Sequence, residues 1–151
     1  MKILVTGALG YIGTELLHRL LNQQHSEIIA VDNDTNSIKQ RLGFLKRQHG
    51  NVTFINADIR NLDDVLALPK VDIVVHLAAI VGYITCSEDP KLAVDTNVNG
   101  TRNIAALNTP TIFLSTGSVY GEIGEVCDES VVPNPQTLYS QTKVEGESII
   151  R

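Results

Sequence analysis

The chain has 151 residues and a formal net charge of −5 at pH 7, so it is one domain by size and can bury a real core. It carries no basic cluster, which argues against nucleic acid as a partner. It also has no run of about 18 apolar residues that could span a membrane. The two cysteines, Cys86 and Cys127, are typical of a reduced cytoplasmic protein rather than a disulfide framework, and their neighbours do not suggest a metal site.

Strands and helices are predicted to alternate along the chain. The strands are expected at 2–6, 27–32, 52–56, 71–76 and 111–115, and the helices at 11–23, 35–48, 61–67, 87–107 and 137–151. Alternating units of this kind favour one parallel sheet with helices on both faces and right-handed crossovers. The sequence therefore predicts a doubly wound α/β domain with strand order 3-2-1-4-5 and a ligand crevice at the carboxyl ends of the strands.

The first predicted strand runs into a glycine-rich turn. Residues 6–13 read TGALGYIG, and a helix with leucines on one face follows. Glycines at 7, 10 and 13 allow a tight turn, a close approach to a pyrophosphate and packing of the helix on the sheet, and the helix N-terminus then faces the phosphates. Asp32 ends the second strand 19 residues past Gly13, where an acidic residue would hold an adenosine ribose. A helix cap is the alternative role for Asp32.

Tyr139 and Lys143 are four residues apart in the last predicted helix, so they lie one turn apart on the same face. A neighbouring Lys cation lowers the pKa of a phenol because it favours the phenolate. A phenolate poised near neutrality can take a proton from an alcohol while a hydride leaves its carbon. The pair is a weak signal by itself, since the same spacing arises by chance on solvated helices, and the dinucleotide signature strengthens it.

Together these motifs resemble those of the extended short-chain dehydrogenase/reductase family, the NAD-dependent nucleotide-sugar epimerases and dehydratases. Further matching segments follow in family order over essentially all 151 residues: ADI at 57–59, HLAA at 76–79, NVNGT at 97–101 and STGSVYG at 115–121. The resemblance implies that 1–151 is an incomplete NAD-binding Rossmann domain, because family members continue with further strands and a small substrate domain. The last predicted helix also lacks a C-cap signal, which favours a cut chain.

The resemblance implies NAD as the cofactor and assigns residues to it. Asp58 and the backbone of Ile59 would contact the adenine, and Asn97 would brace the active-site helix. The complete implied set of NAD-binding residues is Gly7, Gly10, Tyr11, Ile12, Gly13, Asp32, Asp58, Ile59, Leu77, Ala78, Ala79, Asn97, Tyr139 and Lys143. A turn position for Asp58 and a generic helix position for Asn97 are the alternatives. His76 is expected to be a core histidine rather than a catalyst.

The catalytic residues implied by the resemblance are Thr116, Tyr139 and Lys143. Tyr139 would be the general base in oxidation and the acid in the reverse reduction, while Lys143 would hold the nicotinamide ribose. A Thr or Ser at the end of the fifth strand would hydrogen-bond the reacting hydroxyl, and the motif match places this role on Thr116 rather than Ser115. Ordinary strand-end capping is the alternative for Thr116.

The two residues after Thr116 reduce the number of candidate reactions. Sugar 4,6-dehydratases of the family usually carry Asp-Glu there, since proton removal from carbon and loss of water need an extra acid and base, and the related decarboxylases usually carry Glu at the second position. Gly117 and Ser118 can supply neither group. The favoured expectation is 4-epimerisation of a nucleotide-diphosphate sugar by reversible hydride transfer. A net sugar or alcohol oxidoreductase and a non-catalytic dinucleotide-binding fragment are the alternatives, and the intact catalytic set argues against the second.

The resemblance also carries expectations about assembly and activity. A full-length protein is expected to be a cytoplasmic homodimer, joined through the helices predicted at 87–107 and 137–151. The 151-residue chain alone is expected to bind NAD weakly and to be inactive, because remote substrate contacts supply the binding energy that places a sugar near the hydride donor.

Overall fold

The computed structural model describes residues 1–22, 27–33, 52–122, 124 and 127–151. Within them five strands form one parallel sheet: β1 (Lys2–Thr6), β2 (Glu27–Asp32), β3 (Val52–Asn56), β4 (Ile73–His76) and β5 (Thr111–Phe113). Their order is β3-β2-β1-β4-β5, which confirms the predicted order 3-2-1-4-5. The carboxyl ends of the strands therefore meet along one edge of the sheet, where the predicted site residues lie.

The helices differ from the sequence prediction between residues 83 and 105. They are α1 (Tyr11–Leu21), α2 (Leu62–Leu66), α3 (Tyr83–Glu88), α4 (Pro90–Val94), a π-helical segment (Asp95–Gly100), α5 (Thr101–Ala105) and α6 (Leu138–Ile150), with a 3₁₀ turn at Gly117–Tyr120. The single helix predicted over 87–107 is thus wrong. Pro90 has no N–H to continue the helical ladder, and the Asp89 side chain caps α4 by accepting from Leu92 N at 2.9 Å. The helix predicted over 35–48 lies outside the described residues.

The core has two layers, one on each face of the sheet. On one face Ile3 and Val5 of β1 pack with the leucines of α1, including Leu17. On the other face Leu4 of β1 packs with residues of α2 and α5, including Ile104. A central strand covered on both faces explains why the sequence of β1 is apolar without alternation.

Beyond α1 the same face of the sheet is more open. Ile112 in β5 pairs in register with Val75 of β4 and is 56% exposed, and Leu114, just past β5, is 40% exposed. The opposite face of β5 is covered, because Phe113 packs against α6. No helix within the described ranges is long and apolar enough to cross a membrane.

Candidate active site

The glycine-rich turn packs directly on the segment that follows β4. Gly7 has a φ of +63°, and a Cβ at this position would lie 2.7 Å from the backbone nitrogen of Ala78. A Cβ at Gly13 would lie 2.3 Å from the carbonyl oxygen of Gly7, so the start of α1 sits on the turn. Both positions need glycine, the first for its backbone conformation and both for space.

The N-terminus of α1 opens beside this turn. Gly10 is the N-cap and has no side chain to accept a hydrogen bond from the first-turn N–H groups, and no acidic residue lies in the first turn. Tyr11 and Ile12 are exposed there. The partial positive charge of a helix N-terminus favours an anion, so this end of α1 has the chemistry needed to hold a pyrophosphate.

Asp32 connects the end of β2 to the turn. Its Oδ2 accepts a hydrogen bond from Leu9 N at 3.0 Å, and its carbonyl oxygen accepts from Ala57 N at 3.1 Å. The carboxylate therefore lies beside the glycine-rich turn, at the edge where the sequence analysis placed a ribose contact. The alternative role of Asp32 as the cap of a following helix concerns residues outside the described ranges.

Asp58 and Ile59 lie just beyond the end of β3. The Asp58 carboxylate is ion-paired with Arg60, and hydrogen bonds from the Arg60 side chain are the largest cause that holds the pKa of Asp58 below its usual value. Asn33, the residue after β2, adds a smaller hydrogen bond. Ile59 is buried, and its carbonyl accepts from the Asn103 side chain of α5 at 2.9 Å. The Asp58 carboxylate is thus kept ionised near the end of β2.

Asn97 connects the loop after β4 to α6. Its side chain accepts from Ile80 N at 2.8 Å, donates to Ile80 O at 2.9 Å and donates to Thr142 Oγ1 at 3.0 Å. Thr142 in turn donates to the carbonyl oxygen of Tyr139 at 2.7 Å. Asn97 is buried and lies in the π-helical segment, a type of distortion that is frequent at functional sites. The structure thus places Asn97 as a brace, and it adds Thr142, which the sequence analysis missed.

The start of α6 is fixed by a capping box. Ser140 N donates to Thr137 Oγ1 at 3.2 Å, and Thr137 N donates to Ser140 Oγ at 3.0 Å. This reciprocal pair satisfies two N–H groups that a helix start leaves unbonded and sets Tyr139 in the first turn of α6. A Thr followed three residues later by Ser is a weaker signature than one followed by Glu or Gln, and the sequence analysis missed it.

Lys143 is buried and bound to β5. Its Nζ donates to Leu114 O at 2.9 Å, lies 4.7 Å from the centre of the Phe113 ring and lies 6.0 Å from the centre of the Tyr139 ring. Burial lowers the pKa of Lys143 to about 8. Gly146 allows this arrangement, because a Cβ there would lie 2.5 Å from the Phe113 ring. The close contact of α6 with β5 therefore sets the direction of the Lys143 side chain.

Tyr139 has a raised pKa. Burial of the phenol is the largest cause, the Cys86 thiol also raises the pKa, and a hydrogen bond with Thr116 opposes both. The prediction that Lys143 lowers the pKa of Tyr139 is wrong in its net direction, since the pKa is raised. The physical reason is the placement of Nζ, which is bonded to the Leu114 carbonyl rather than to the phenol.

Thr116 and Ser115 face different partners. Thr116 Oγ1 accepts from Ser118 N at 3.3 Å, so it caps the 3₁₀ turn, and the Thr116 side chain lies close enough to Tyr139 to lower the pKa of the phenol. Ser115 Oγ donates to the Glu147 carboxylate, one turn beyond Lys143 on α6. Of the two hydroxyls, it is therefore Thr116 that lies on the Tyr139 side. The structure shows the capping role of Thr116, and its hydrogen bond to a reacting hydroxyl stays a prediction.

The lowered pKa of Lys143 predicts a rise of stability with pH. The folded pKa of about 8 lies below the value of about 10.4 expected in the unfolded chain, so the unfolded state binds more protons between these values. The free energy of unfolding contributed by Lys143 should therefore increase from about pH 8 to pH 10. Urea denaturation at several pH values measures it, with Lys143→Met as the comparison. Parallel pH profiles for the two proteins would contradict the assignment.

Comparison with known proteins identifies the family. Residues 3–151 match the NAD dependent epimerase/dehydratase family. The chain belongs to this family. It is 32% identical to a UDP-glucose 4-epimerase of Pisum sativum over 99% of this chain and 47% of that protein, and 34% identical to a UDP-glucose 4-epimerase of Klebsiella pneumoniae over 81% of this chain and 94% of that sequence.

Solved structures of the family share the fold. UDP-glucuronic acid 4-epimerase from Bacillus cereus, in complex with UDP-glucuronic acid and NAD, is 32% identical with a TM-score of 0.89, over 99% of this chain and 51% of that one. The UDP-Glc/GlcNAc 4-epimerase from Campylobacter jejuni is 29% identical with a TM-score of 0.91, over 98% of this chain and 47% of that one. The dTDP-glucose 4,6-dehydratase DesIV from Streptomyces venezuelae, with NAD and TYD bound, is 26% identical with a TM-score of 0.89. The chain thus spans about half the length of these solved relatives.

These findings confirm the predicted family, Rossmann fold and cofactor. The family is NAD-dependent, and several of the solved relatives hold NAD. The residues present here fit that group: the glycine turn has no room for a Cβ at Gly7 or Gly13, α1 begins without a side-chain cap, and Asp32 lies against the turn. The individual NAD contacts and the catalytic roles remain predictions.

Proposed function

We propose that this chain carries the NAD-binding and proton-transfer side of a UDP-sugar 4-epimerase. The observation that carries the proposal is the meeting of α6 with the end of β5, where Tyr139 lies one helical turn from the buried Lys143 and the Lys143 Nζ lies 6.0 Å from the centre of the Tyr139 ring, at the same edge of the sheet as the glycine-rich turn. A hydroxyl donor, a phenol and an ammonium that converge beside a dinucleotide turn are the groups that oxidation of an alcohol requires. The 4-epimerases among the relatives suggest the class of sugar.

NAD, when bound beside the glycine-rich turn, would supply the hydride acceptor for oxidation of the sugar and the hydride donor for its reduction on the opposite face. As a phenolate, Tyr139 accepts the proton of the C4 hydroxyl during oxidation, and the resulting phenol gives it back during reduction. Thr116 hydrogen-bonds the reacting oxygen and so fixes its distance to the phenol. Lys143 holds the ribose next to the nicotinamide and supplies positive charge on the Tyr139 face of α6. Each proton therefore moves between the sugar oxygen and one phenol.

Epimerisation is favoured over dehydration by the residues that follow Thr116. Gly117 begins the 3₁₀ turn, and a Cβ at this position would meet no heavy atom within 4 Å among the described residues. Ser118 N donates to Thr116 Oγ1. Neither residue offers a carboxyl group, so the extra acid and base that dehydration needs are missing at these two positions.

The acidic residues at this edge of the sheet favour NAD over NADP. The Asp32 carboxylate lies beside the glycine-rich turn and would accept hydrogen bonds from ribose hydroxyls. A 2′-phosphate there would meet a like charge. The Asp58 carboxylate, kept ionised by Arg60, would accept from the exocyclic amine of adenine. Ile59, Leu77, Ala78 and Ala79 complete the proposed adenine and backbone contacts.

A homodimer is also proposed, through α4, the π-helical segment, α5 and α6. Among the apolar residues of this region, Val98 and Ile104 are buried within the chain, whereas Val94 is exposed. The outer surface also carries an ion pair between Arg102 and Glu145, at 3.1 Å. A dimer through this surface would therefore combine apolar and charged contacts rather than rest on an apolar stripe.

The proposal predicts activity only when a substrate half is supplied. A chimera in which residues 1–151 replace the matching half of the Pisum sativum UDP-glucose 4-epimerase is expected to interconvert UDP-glucose and UDP-galactose with NAD. Residues 1–151 tested without that half should convert neither sugar, because hydride transfer needs the reacting carbon held within about 3–3.5 Å of the donor. Product analysis by chromatography measures both reactions, with the parent enzyme as control.

Three results would each contradict a different part of this proposal. Conversion by the chain alone would make it a complete minimal enzyme and overturn the half-enzyme proposal. Net accumulation of NADH with an oxidised sugar would replace epimerisation by oxidoreduction. A chimera that folds and binds NAD but leaves both sugars unchanged would overturn the catalytic assignment altogether.

A further inference from the structure

A continuous chain of buried hydrogen bonds runs through the middle of the sheet. Thr6 Oγ1 lies 2.6 Å from His76 Nδ1, and His76 Nε2 lies 3.0 Å from Thr101 Oγ1. The three side chains are 0%, 1% and 0% exposed respectively. They come from β1, β4 and α5, so the chain crosses from one strand through its neighbour to a helix. We call it the His76 relay.

The ends of the His76 relay fix the direction of every bond in it. The carbonyl oxygen of Asn97 can only accept, and it lies 2.6 Å from Thr101 Oγ1, so Thr101 donates its proton there. Thr101 must then accept from His76, which places the ring proton on Nε2. The unprotonated Nδ1 accepts from Thr6, whose oxygen accepts in turn from Ala78 N at 3.3 Å. Only one tautomer of His76 satisfies all four contacts.

Both ends of the His76 relay enter the candidate active site. At one end Thr6 directly precedes Gly7, and Ala78 is the residue against which Gly7 packs. At the other end Asn97 lies in the π-helical segment, and its side chain binds the Ile80 backbone and Thr142. The relay therefore connects the dinucleotide turn to the residues that hold α6.

We propose that the His76 relay is a positioning device, in which His76 sets the distance between the glycine-rich turn and the segment that holds Tyr139. The predicted effect on NAD binding rests on the proposed function. The predicted ring tautomer and the predicted connection between the Ala78 and Ile80 backbones do not. A buried polar network with every group satisfied fixes geometry more narrowly than apolar packing, because each bond has a preferred length and direction.

The ionisation of His76 is consistent with this role. Burial, with a smaller contribution from the charge of Lys143, lowers the pKa of His76 to about 3. Phe113 lies near the ring, at 5.7 Å between ring centres, and it carries no charge. The ring therefore keeps one donor and one acceptor over the whole neutral range. An imidazolium would have two donors and would lose the bond from Thr6.

The first test measures the tautomer in the unmodified protein. Nitrogen-15 NMR distinguishes protonated from unprotonated ring nitrogens, and the expected signature is Nε2–H with a bare Nδ1 that persists from pH 8 to pH 5. A ring protonated on Nδ1, or one that titrates near its ordinary pKa of about 6.5, would overturn the relay. This measurement needs neither a ligand nor a variant.

The second test breaks the relay at Thr101. Thr101→Val should speed amide hydrogen exchange at Ala78 and Ile80 by about tenfold, the effect of losing one net hydrogen bond, and Thr101→Ser should restore it. Leu21→Ala is the matched control, because it empties core space at the far end of α1, about 15 Å from the crevice. It should lower global stability and leave these two amides unchanged relative to their neighbours. Equal effects of the valine variant and the control would overturn the positioning role.

NAD titration separates this inference from the proposed function. Thr101→Val should weaken NAD binding severalfold, and Leu21→Ala should leave it as in the unmodified protein. Failure of the unmodified protein to bind NAD would count against the proposed function alone, because the tautomer and exchange results would still decide the relay. Normal NAD affinity in Thr101→Val would overturn the claim that the relay positions the dinucleotide turn.

Discussion

Replacing Tyr139 by Phe is expected to lower turnover of a UDP-sugar by roughly 10²–10⁴, the loss typical of removing a general acid–base group. The substitution deletes only the phenolic oxygen, whose pKa responds to the neighbouring Thr116 side chain. The ring itself is half-buried and its packing is retained, so the fold and NAD binding should persist. Because the proton has no other acceptor in the proposed mechanism, the loss should fall on kcat rather than on KM.

The measurement uses the chimera with the Pisum sativum enzyme, in which turnover is defined. Tyr120→Phe is the matched control, since Tyr120 ends the 3₁₀ turn, loses the same oxygen and has no role in the proposed reaction. Thr116→Val should cost less than Tyr139→Phe, because it removes one hydrogen bond to the sugar and leaves the phenol in place. Unchanged turnover in Tyr139→Phe would remove that residue from the mechanism.

The sheet could be predicted from the sequence because the residues that specify each strand and turn are close together in the chain. A strand covered on both faces must be apolar throughout, and residues 3–5 are Ile-Leu-Val, followed at once by the glycine-rich turn. The glycine spacing and Asp32 then specify a strand–turn–helix unit and the end of the next strand. Strand order follows from the connection rules once these units are recognised.

Hydrophobic periodicity alone could not predict the helices between residues 83 and 105. Pro90 was a local signal for a break that the prediction of one long helix overlooked. The π-helical segment has no such signal, because its cause is tertiary. The Asn97 side chain reaches Ile80 and Thr142, which are 17 and 45 residues away in the sequence, and these bonds hold the widened turn in place.

The pair of Tyr139 and Lys143 shows the same limit of sequence-based prediction. The four-residue spacing of Tyr139 and Lys143 correctly places them on one helix face, but it does not say where the ammonium points. Leu114 and Phe113, which come from the β5 region, attract Nζ through a carbonyl oxygen and an aromatic ring. The expected lowering of the phenol pKa depends on that direction. The His76 relay was likewise hidden, since Thr6 and His76 are 70 residues apart.

Gly13→Ala is expected to abolish NAD binding and to destabilise the fold by about 1–3 kcal/mol, the usual cost of overpacking. A Cβ at Gly13 would lie 2.3 Å from Gly7 O and 2.7 Å from Ala8 O. Both atoms belong to the backbone of the turn and cannot rotate away as a side chain would. The start of α1 must therefore move off the turn, which takes the first-turn N–H groups away from the pyrophosphate position.

Two other glycines make the test specific. A Cβ at Gly124 would meet no heavy atom within 4 Å among the described residues, so Gly124→Ala should change stability by no more than about 0.5 kcal/mol. A Cβ at Gly10 would lie 3.2 Å from Gly7 O, so Gly10→Ala should have an intermediate effect. Calorimetric NAD titration and urea denaturation measure the series, and circular dichroism separates a lost site from an unfolded chain. A Gly13→Ala protein that folds and binds NAD with normal affinity would contradict this prediction. Because the added Cβ cannot fit while α1 stays in contact with the turn, that result would show that this contact does not hold the dinucleotide.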